Sequence, residues 1–235
     1  MAQAELFQSL LSKSNAAMAR ALEDPAMLQM ASARFAELAD LDMVLHALPL
    51  REEESLMNNA IIEGQHALLL GLEGHYRAAF HGLRLFIESV VAGVYFSAHV
   101  LALKQWEQHY DNINWHKMAV ADETSIFGKP FVSLFEPRLI DALREHGENM
   151  RMLYHNCSQY VHATAGAASG IGNRIDYQPP LLTEWLSMAQ TAYRGSLVML
   201  AMRYVNACSA EQKARIEPIY MRDVAFVEAL RTIFS

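Results

Sequence analysis

Apolar residues recur at the spacing of an α-helix along most of the chain, and proline or glycine separates one helical stretch from the next. The spacing predicts helices over residues 5–22, 25–48, 51–72, 75–110, 137–145, 147–165, 181–207 and 211–234. No segment alternates apolar and polar residues between hairpin turns, as strands would. We therefore predict a single all-α domain over residues 1–235, a bundle of about seven or eight helices with a long central helix.

Two segments interrupt the helical pattern. Residues 111–137 combine Asn, Gly and Pro with several aromatic residues, which predicts an irregular cover that packs against the bundle. Residues 165–180 have the sequence AGAASGIGNRIDYQPP, and their small side chains predict a mobile linker. The glycines of this linker follow a helix and no Lys-Ser/Thr pair accompanies them, so they do not indicate a nucleotide-binding loop.

A narrow polar stripe runs along each of two otherwise apolar helices. The first stripe comprises Arg77, His81, Arg84 and Glu88, with Tyr95 and His99 beyond them. The second stripe comprises Arg151, His155, Ser158 and His162. Steps of mostly three or four residues keep each stripe on one face of its helix. Because the surrounding residues are apolar, the polar groups must find hydrogen-bond partners or border a cleft.

The simplest arrangement places the two stripes against each other. Arg84 and Glu88 have the i,i+4 spacing of a helical ion pair. Ser158 and His162 have the same spacing and are able to share a hydrogen bond. A closed network of these groups would fix the register of the two helices, which is the usual role of buried polar networks. The same groups would alternatively bind a small anionic ligand.

The stripes also contain the groups needed for metal-independent cleavage of a phosphodiester. His162 or His155 would act as the general base, because imidazole titrates near neutral pH. Arg84 or Arg151 would stabilise the negative charge that develops on the phosphate, and Glu88 would orient a histidine. This catalytic interpretation and the structural one involve the same side chains.

Two other kinds of chemistry have less support. Ser158 lies in mid-helix without the elbow motif or the oxyanion hole that a serine nucleophile requires. Glu63 and His66 form one Glu-x-x-His pair, whereas a helical di-iron site needs two such pairs and two further carboxylates. We therefore predict neither a metal site nor a cofactor.

Composition limits the classes of partner. The formal net charge of −7 disfavours general nucleic-acid binding, which depends on dense Lys and Arg. A hydrophobic content of 52% suggests apolar surface that another subunit covers, so we expect a homodimer and allow for a further protein partner. Charges interrupt the apolar run 83–103 and the first residues lack the pattern of a secretion signal. These features predict a cytoplasmic protein without a membrane span.

Two motifs resemble a pattern in uncharacterised bacterial helical proteins that are distantly similar to the HEPN superfamily. The first motif is Arg84-x-x-x-Glu88, within GLRLFIESVVAGVYF. The second is Tyr154-x-x-x-Ser158-x-x-x-His162, within YHNCSQYVHATAG. The resemblance covers residues 74–166 and implies a helical dimer. Many HEPN proteins are toxin or antiviral ribonucleases with an Arg-x(4–6)-His motif.

The chain departs from that ribonuclease motif. Three residues separate Arg151 from His155, and ten separate it from His162. Other HEPN relatives are inactive binding or antitoxin-like subunits, so the resemblance implies an intracellular interaction or scaffold protein of a bacterial defence or stress system. The alternative is a HEPN-like ribonuclease that uses His162 with Arg84 or Arg151. The residues expected to contact a ligand are Arg77, His81 and Tyr154.

Overall fold

The computed structural model describes residues 2–121, 123–162 and 175–234, and all regular secondary structure within these ranges is helical. The predicted all-α fold is therefore confirmed. These ranges contain ten α-helices, more than the seven or eight expected: α1 (Ala2–Glu23), α2 (Pro25–Ala47), α3 (Glu54–Leu72), α4 (Tyr76–Phe96), α5 (Val100–Glu107), α6 (Lys129–Phe135), α7 (Ile140–Val161), α8 (Pro179–Tyr204), α9 (Ala210–Asp223) and α10 (Glu228–Phe234). A π-helical turn (His116–Val120) and two 3₁₀ turns (Pro137–Leu139 and Val205–Ala207) lie between them.

The additional helices arise partly because the predicted helix 75–110 is divided between α4 and α5. Arg203 of α8 binds Ser97 between the two helices. Its Nη2 donates to the Ser97 carbonyl at 3.0 Å, and its Nε donates to the Ser97 hydroxyl at 2.6 Å. The carbonyl thus has a partner from another helix in place of a helical N–H group, which accounts for the break. The predicted helix 211–234 is also divided, into α9 and α10.

The predicted boundary between residues 145 and 147 is absent, because α7 continues without interruption from Ile140 to Val161. Gly147 is buried within this helix, and a Cβ atom there would lie 2.7 Å from Cγ of Phe127. The glycine therefore permits close approach of the 111–137 cover and does not end a helix. Residues 163–165, the last of the predicted helix 147–165, lie outside the described residues.

The central helix α4 packs against α3, α7 and α8. It runs antiparallel to α7, since Arg84 contacts Tyr154 whereas the earlier Arg77 contacts the later Tyr160. By length and composition α4 is able to cross a membrane, with a mean hydropathy of 1.3, and 72% of its apolar stretch is buried within the protein. The first polar stripe therefore borders the contact between α4 and α7, where Arg84 and Arg77 reach Tyr154 and Tyr160, and no hydrogen bond in the described residues joins it to the second stripe.

The predicted linker 165–180 is described only from residue 175 onward. Asp176 accepts a hydrogen bond from Arg20 at 2.9 Å, and the Tyr177 hydroxyl donates to Asp24 at 2.9 Å. These contacts attach the end of the segment to α1 and to the start of α2. Pro179 then begins α8.

Candidate functional site

The first polar stripe meets α7 where Arg84 and Glu88 of α4 face Tyr154, which is not a member of the second stripe. Arg84 Nη2 donates to the Tyr154 hydroxyl at 2.6 Å and to Glu88 Oε1 at 3.2 Å. The Tyr154 hydroxyl in turn donates to Glu88 Oε1 at 2.7 Å. Each member therefore binds the other two, and we call this group the Arg–Glu–Tyr triad.

The triad is half-buried, and an aromatic residue of the 111–137 cover packs against it. The ring of Trp115 stacks on that of Tyr154, with centroids 3.8 Å apart and planes 7° from parallel. The Arg84 guanidinium also lies over the Tyr154 ring, 4.7 Å from its centroid. The side chains of Arg84 and Glu88 keep 21% and 17% of their exposure, so one edge of the triad reaches solvent.

Burial and the Glu88 carboxylate together set the electrostatics of the triad. Burial, followed by the hydrogen bond to Glu88, raises the pKa of Tyr154 to about 12. Tyr154 therefore stays protonated at neutral pH and serves as a donor. The adjacent Cys157 is buried, and burial raises the pKa of its thiol to about 12, so it does not supply a thiolate nucleophile. The charges of Arg84 and Glu88 compensate each other, which leaves little attraction for an anion.

Among the residues that the structure describes, the predicted contact between the two stripes is absent, because the members of the second stripe make their contacts outside the triad. The Ser158 hydroxyl donates to the carbonyl of Tyr154 in its own helix at 2.8 Å, and the His162 contact to Ser158 is a backbone bond. Arg151 Nη1 donates to the carbonyl of Ala119 at 3.1 Å. Ser158 and Arg151 thus contribute to helix and cover contacts, away from a shared reaction centre.

Both candidate histidines of α7 are exposed. One ring nitrogen of His155 lies 2.9 Å from the side-chain amide of Gln159. His162 caps the C-terminus of α7, and its ring has no partner among residues 4–121, 123–162 and 175–234. His162 lies eight positions after Tyr154, a displacement of about 12 Å along the helix axis. The structure therefore does not bring His162 into the triad.

The remaining members of the first stripe lie on either side of the triad along α4. Arg77 is exposed, and its Nε donates to the carbonyl of Tyr160 at 3.3 Å. His81 is exposed as well. At the other end of α4, Tyr95 stacks on His99 with ring centroids 4.0 Å apart. The stripe is continuous along the helix, but only its centre forms a side-chain network with α7.

A second polar cluster, which the sequence analysis did not identify, lies between α2 and α8. Arg34 is only 6% exposed. Its Nη2 donates to Glu37 Oε1 at 2.6 Å, and its Nη1 donates to the carbonyl of Leu186 at 3.2 Å. Gln190 also donates to Glu37 Oε1, at 3.4 Å. We call Arg34, Glu37, Trp185 and Gln190 the α2–α8 cluster.

Three polar atoms of the α2–α8 cluster are buried without a hydrogen-bond partner in the described part of the chain. They are Arg34 Nε, Glu37 Oε2 and Trp185 Nε1. All three residues line one cavity, whose other walls include Leu83 and Phe86 and whose water-accessible volume is about 20 Å³. That volume accommodates one or two water molecules. Burial raises the pKa of Glu37, despite the opposing effect of Arg34.

The burial of Arg34 could have been predicted from the spacing of apolar residues along α2. Arg34 falls in line with the buried residues Met27, Ala31, Leu38 and Leu41, at steps of three and four. A charged residue within such a stripe indicates a buried charge that needs a partner. Trp115 has a weaker signal, because its membership of an aromatic-rich segment does not identify the tyrosine on which it stacks.

Neither a metal-binding group of residues nor similarity to known proteins identifies an activity for this chain. Within the described ranges no group of three or more His, Cys, Asp and Glu residues is placed to hold a metal ion. Comparisons with family models, with curated proteins and with solved structures give no match for this chain. Function therefore has to be inferred from the geometry of the two polar clusters and from the surface.

Proposed function

We propose that this is a non-catalytic, cytoplasmic interaction or scaffold protein that assembles as a homodimer. In this proposal the Arg–Glu–Tyr triad fixes the register of α4 and α7. The observation that supports it is that Arg84, Glu88 and Tyr154 satisfy one another at 2.6–3.2 Å. A small anionic ligand would have to compete with Glu88 for Arg84, which makes a structural role the better use of these groups.

The positions of the other candidate groups support the same proposal. Cleavage of a phosphodiester requires a base and a cationic group close to one phosphate. Arg151 is bonded to Ala119, and His162 lies about 12 Å along the helix from Tyr154. The groups that would have to act together are therefore distributed along α7. A place in bacterial defence or stress rests on the HEPN resemblance alone.

A metal-independent ribonuclease is the second candidate, and the exposure of His162 is the observation that favours it. An exposed imidazole at the end of α7 is accessible to RNA, and Arg77 lies near the same end of the helix pair. In this alternative, His162 would act as the base, and the exposed Arg77 would contact the phosphate in place of Arg84 or Arg151, the arginines predicted for this role from the sequence.

An RNA-cleavage assay on the wild type and on His162→Ala tests the proposal. We expect no cleavage by either protein, and an unfolding free energy of the variant within about 0.5 kcal/mol of the wild type because the ring is exposed. Cleavage by the wild type that disappears in His162→Ala, without a change in stability, would overturn the proposal and establish the ribonuclease. His155→Ala, which removes another exposed imidazole of α7, is the matched control.

A further inference from the structure

The cavity between α2 and α8 presents hydrogen-bonding groups that the surrounding residues do not use. Arg34 Nε, Glu37 Oε2 and Trp185 Nε1 are buried at its walls, and none of them has a hydrogen-bond partner among the residues described. Arg34 and Trp185 are only 6% and 1% exposed, so bulk solvent does not satisfy them. Because buried polar atoms in folded proteins are almost always paired, these three indicate a bound group in the cavity.

The three atoms comprise two donors and one acceptor. Arg34 Nε and Trp185 Nε1 each donate one hydrogen, whereas Glu37 Oε2 accepts. A hydroxyl group has the complementary set, since its oxygen accepts two hydrogen bonds and its single hydrogen is donated once. A primary amide would instead bring two N–H hydrogens to the single acceptor and leave one of them without a partner. The count of donors and acceptors therefore favours a hydroxyl group.

The charges at the cavity favour a ligand without a charge of its own. Arg34 Nη2 donates to Glu37 Oε1 at 2.6 Å, so the two side chains form an ion pair that is neutral overall. An anion in the cavity would meet the carboxylate of Glu37, and a cation would meet the guanidinium of Arg34. Because burying an unpaired charge is costly, we expect an uncharged ligand.

The other walls of the cavity are largely apolar, and they limit the size of the ligand. They include Leu38, Leu83 and Phe86, and the water-accessible volume is about 20 Å³. One or two water molecules fit such a space. A hydroxyl group that carries a very short alkyl part would place its oxygen among the polar atoms and its carbon against the apolar walls. Glu37 keeps 13% of its side-chain exposure, so the cavity lies close to the surface.

We propose that the α2–α8 cavity binds one hydroxyl group, to which Arg34 and Trp185 donate and from which Glu37 accepts. The hydroxyl belongs either to a short aliphatic alcohol or to a water molecule, because both present the same oxygen. Water has a second O–H group that needs a further acceptor, whereas an alcohol has carbon in its place. The site is built within one copy of the chain, so it is independent of the homodimer proposed above.

Methanol binding, followed by NMR of the full chain with ¹⁵N-labelled tryptophan, tests the site. The chain has three tryptophans, and Trp185→Phe identifies the indole N–H resonance of Trp185. We expect methanol to shift this resonance saturably. The resonance of Trp115, which does not line the cavity, should change only in proportion to the methanol added. Xenon is the control ligand, because it occupies apolar cavities and forms no hydrogen bonds. We expect no shift of the Trp185 resonance with xenon.

The double variant Arg34→Met/Glu37→Leu removes two of the three polar partners without leaving a buried charge. We expect methanol to bind at least about ten-fold more weakly, because two hydrogen bonds are lost. Xenon should now bind, because the cavity becomes apolar. Circular dichroism establishes that the variant retains its helix content. Equal methanol affinity in the two proteins, or xenon binding to the wild type in preference to methanol, would overturn the hydroxyl site.

A high-resolution crystal structure of the wild type, grown without alcohols, needs no variant and distinguishes the two sources. We expect one oxygen atom within hydrogen-bonding distance of Arg34 Nε, Trp185 Nε1 and Glu37 Oε2. Displacement of that oxygen by methanol would assign the site to an alcohol, and a water molecule that methanol does not displace would assign it to water. An empty cavity together with no methanol shift would overturn the proposal and leave the homodimer unaffected.

Discussion

Two Arg–Glu pairs at helical spacing, one on α4 and one on α2, have different surroundings. Arg84 and Glu88 are partly exposed and share the hydroxyl of Tyr154, which closes their hydrogen-bond network. Arg34 and Glu37 are almost sealed, with side chains 7% and 13% exposed. Their network is nevertheless open, since one polar atom of each lacks a partner among the residues described.

The comparison shows that an ion pair can be deeply buried and still leave some of its polar atoms without hydrogen-bond partners. Removing two charges from water costs free energy that their attraction and further hydrogen bonds must offset. Tyr154 supplies such a bond in the triad, and water reaches its exposed edge. In the α2–α8 cluster, each polar atom left without a partner costs about 1–3 kcal/mol unless a bound molecule satisfies it. We infer that the triad stabilises its helix contact, whereas the surrounding core holds the buried pair in place.

The largest expected effect comes from removing one partner of the buried pair. Arg34→Met leaves the Glu37 carboxylate in an apolar cavity, and we expect the unfolding free energy to fall by about 3–5 kcal/mol. Arg84→Met is the matched substitution in the triad, and we expect a loss of about 1–3 kcal/mol because Glu88 retains Tyr154 and some solvent. Urea unfolding of both variants measures the difference. Equal losses would contradict the contrast between the two pairs.

Replacing both members of the buried pair should recover that loss. In Arg34→Met/Glu37→Leu no charge is buried, and we expect stability between that of the wild type and about 4 kcal/mol above it, since such replacements are often neutral or stabilising. The corresponding double variant Arg84→Met/Glu88→Leu should stay below the wild type, because Tyr154 then loses both partners. A double variant at Arg34 and Glu37 as unstable as Arg34→Met would show that the pair itself stabilises the core. Thermal unfolding alongside urea unfolding checks that folding remains two-state.

The features that depend on neighbouring residues in the sequence could be predicted from local spacing. The ends of α1, α2 and α3 fall within three residues of the predicted bounds. The i,i+4 spacing of Arg84 and Glu88 also predicts the ion pair that is observed at 3.2 Å. Local periodicity carries these features because it determines which residues share one face of a helix.

The features that depend on distant residues could not be predicted. The end of α4 depends on Arg203, which binds Ser97 although the two residues are 106 positions apart in the chain. Phe127 packs on Gly147, so a glycine that favours a helix end lies inside a helix. Ser158 is a local exception, because its spacing places it on the stripe whereas its hydroxyl bonds to the carbonyl of Tyr154, four residues earlier in the same helix. In each case the deciding contact comes from packing or rotamer choice, which spacing does not specify.

A smaller loss of stability is expected when a tyrosine hydroxyl is removed from the triad, and it should exceed the loss at a second tyrosine of α7. Tyr154→Phe removes the hydroxyl that joins Arg84 to Glu88, and we expect a loss of about 1–2 kcal/mol because both groups are half-buried. Tyr160→Phe is the control, since it removes a hydroxyl bonded at 2.9 Å to the exposed Glu184. We expect that control to lose less than about 0.5 kcal/mol. Similar losses in both variants would mean that the triad is no more than a surface contact.

The smallest effect is a pH dependence that belongs to the buried pair. Burial raises the pKa of Glu37 above its ordinary value of 4.5. The folded state therefore binds the Glu37 proton more tightly than the unfolded state, so this contribution to stability is complete below about pH 4.5 and is lost as the pH rises through the higher folded pKa.

Glu37→Gln keeps the shape of the side chain and removes its titration. We expect the unfolding free energy of the wild type, relative to this variant, to decrease from about pH 4 toward neutrality, as measured by urea unfolding across that range. Asp223 is the contrasting group, because hydrogen bonds from Arg222 and Tyr193 outweigh burial and lower its pKa. The corresponding comparison with Asp223→Asn should change in the opposite direction and at lower pH, because a lowered pKa gives stability that is complete above about pH 3.8 and is lost as the pH falls further. A wild-type profile parallel to that of Glu37→Gln would mean that the interactions of Glu37 with Arg34 and Gln190 compensate fully for its burial.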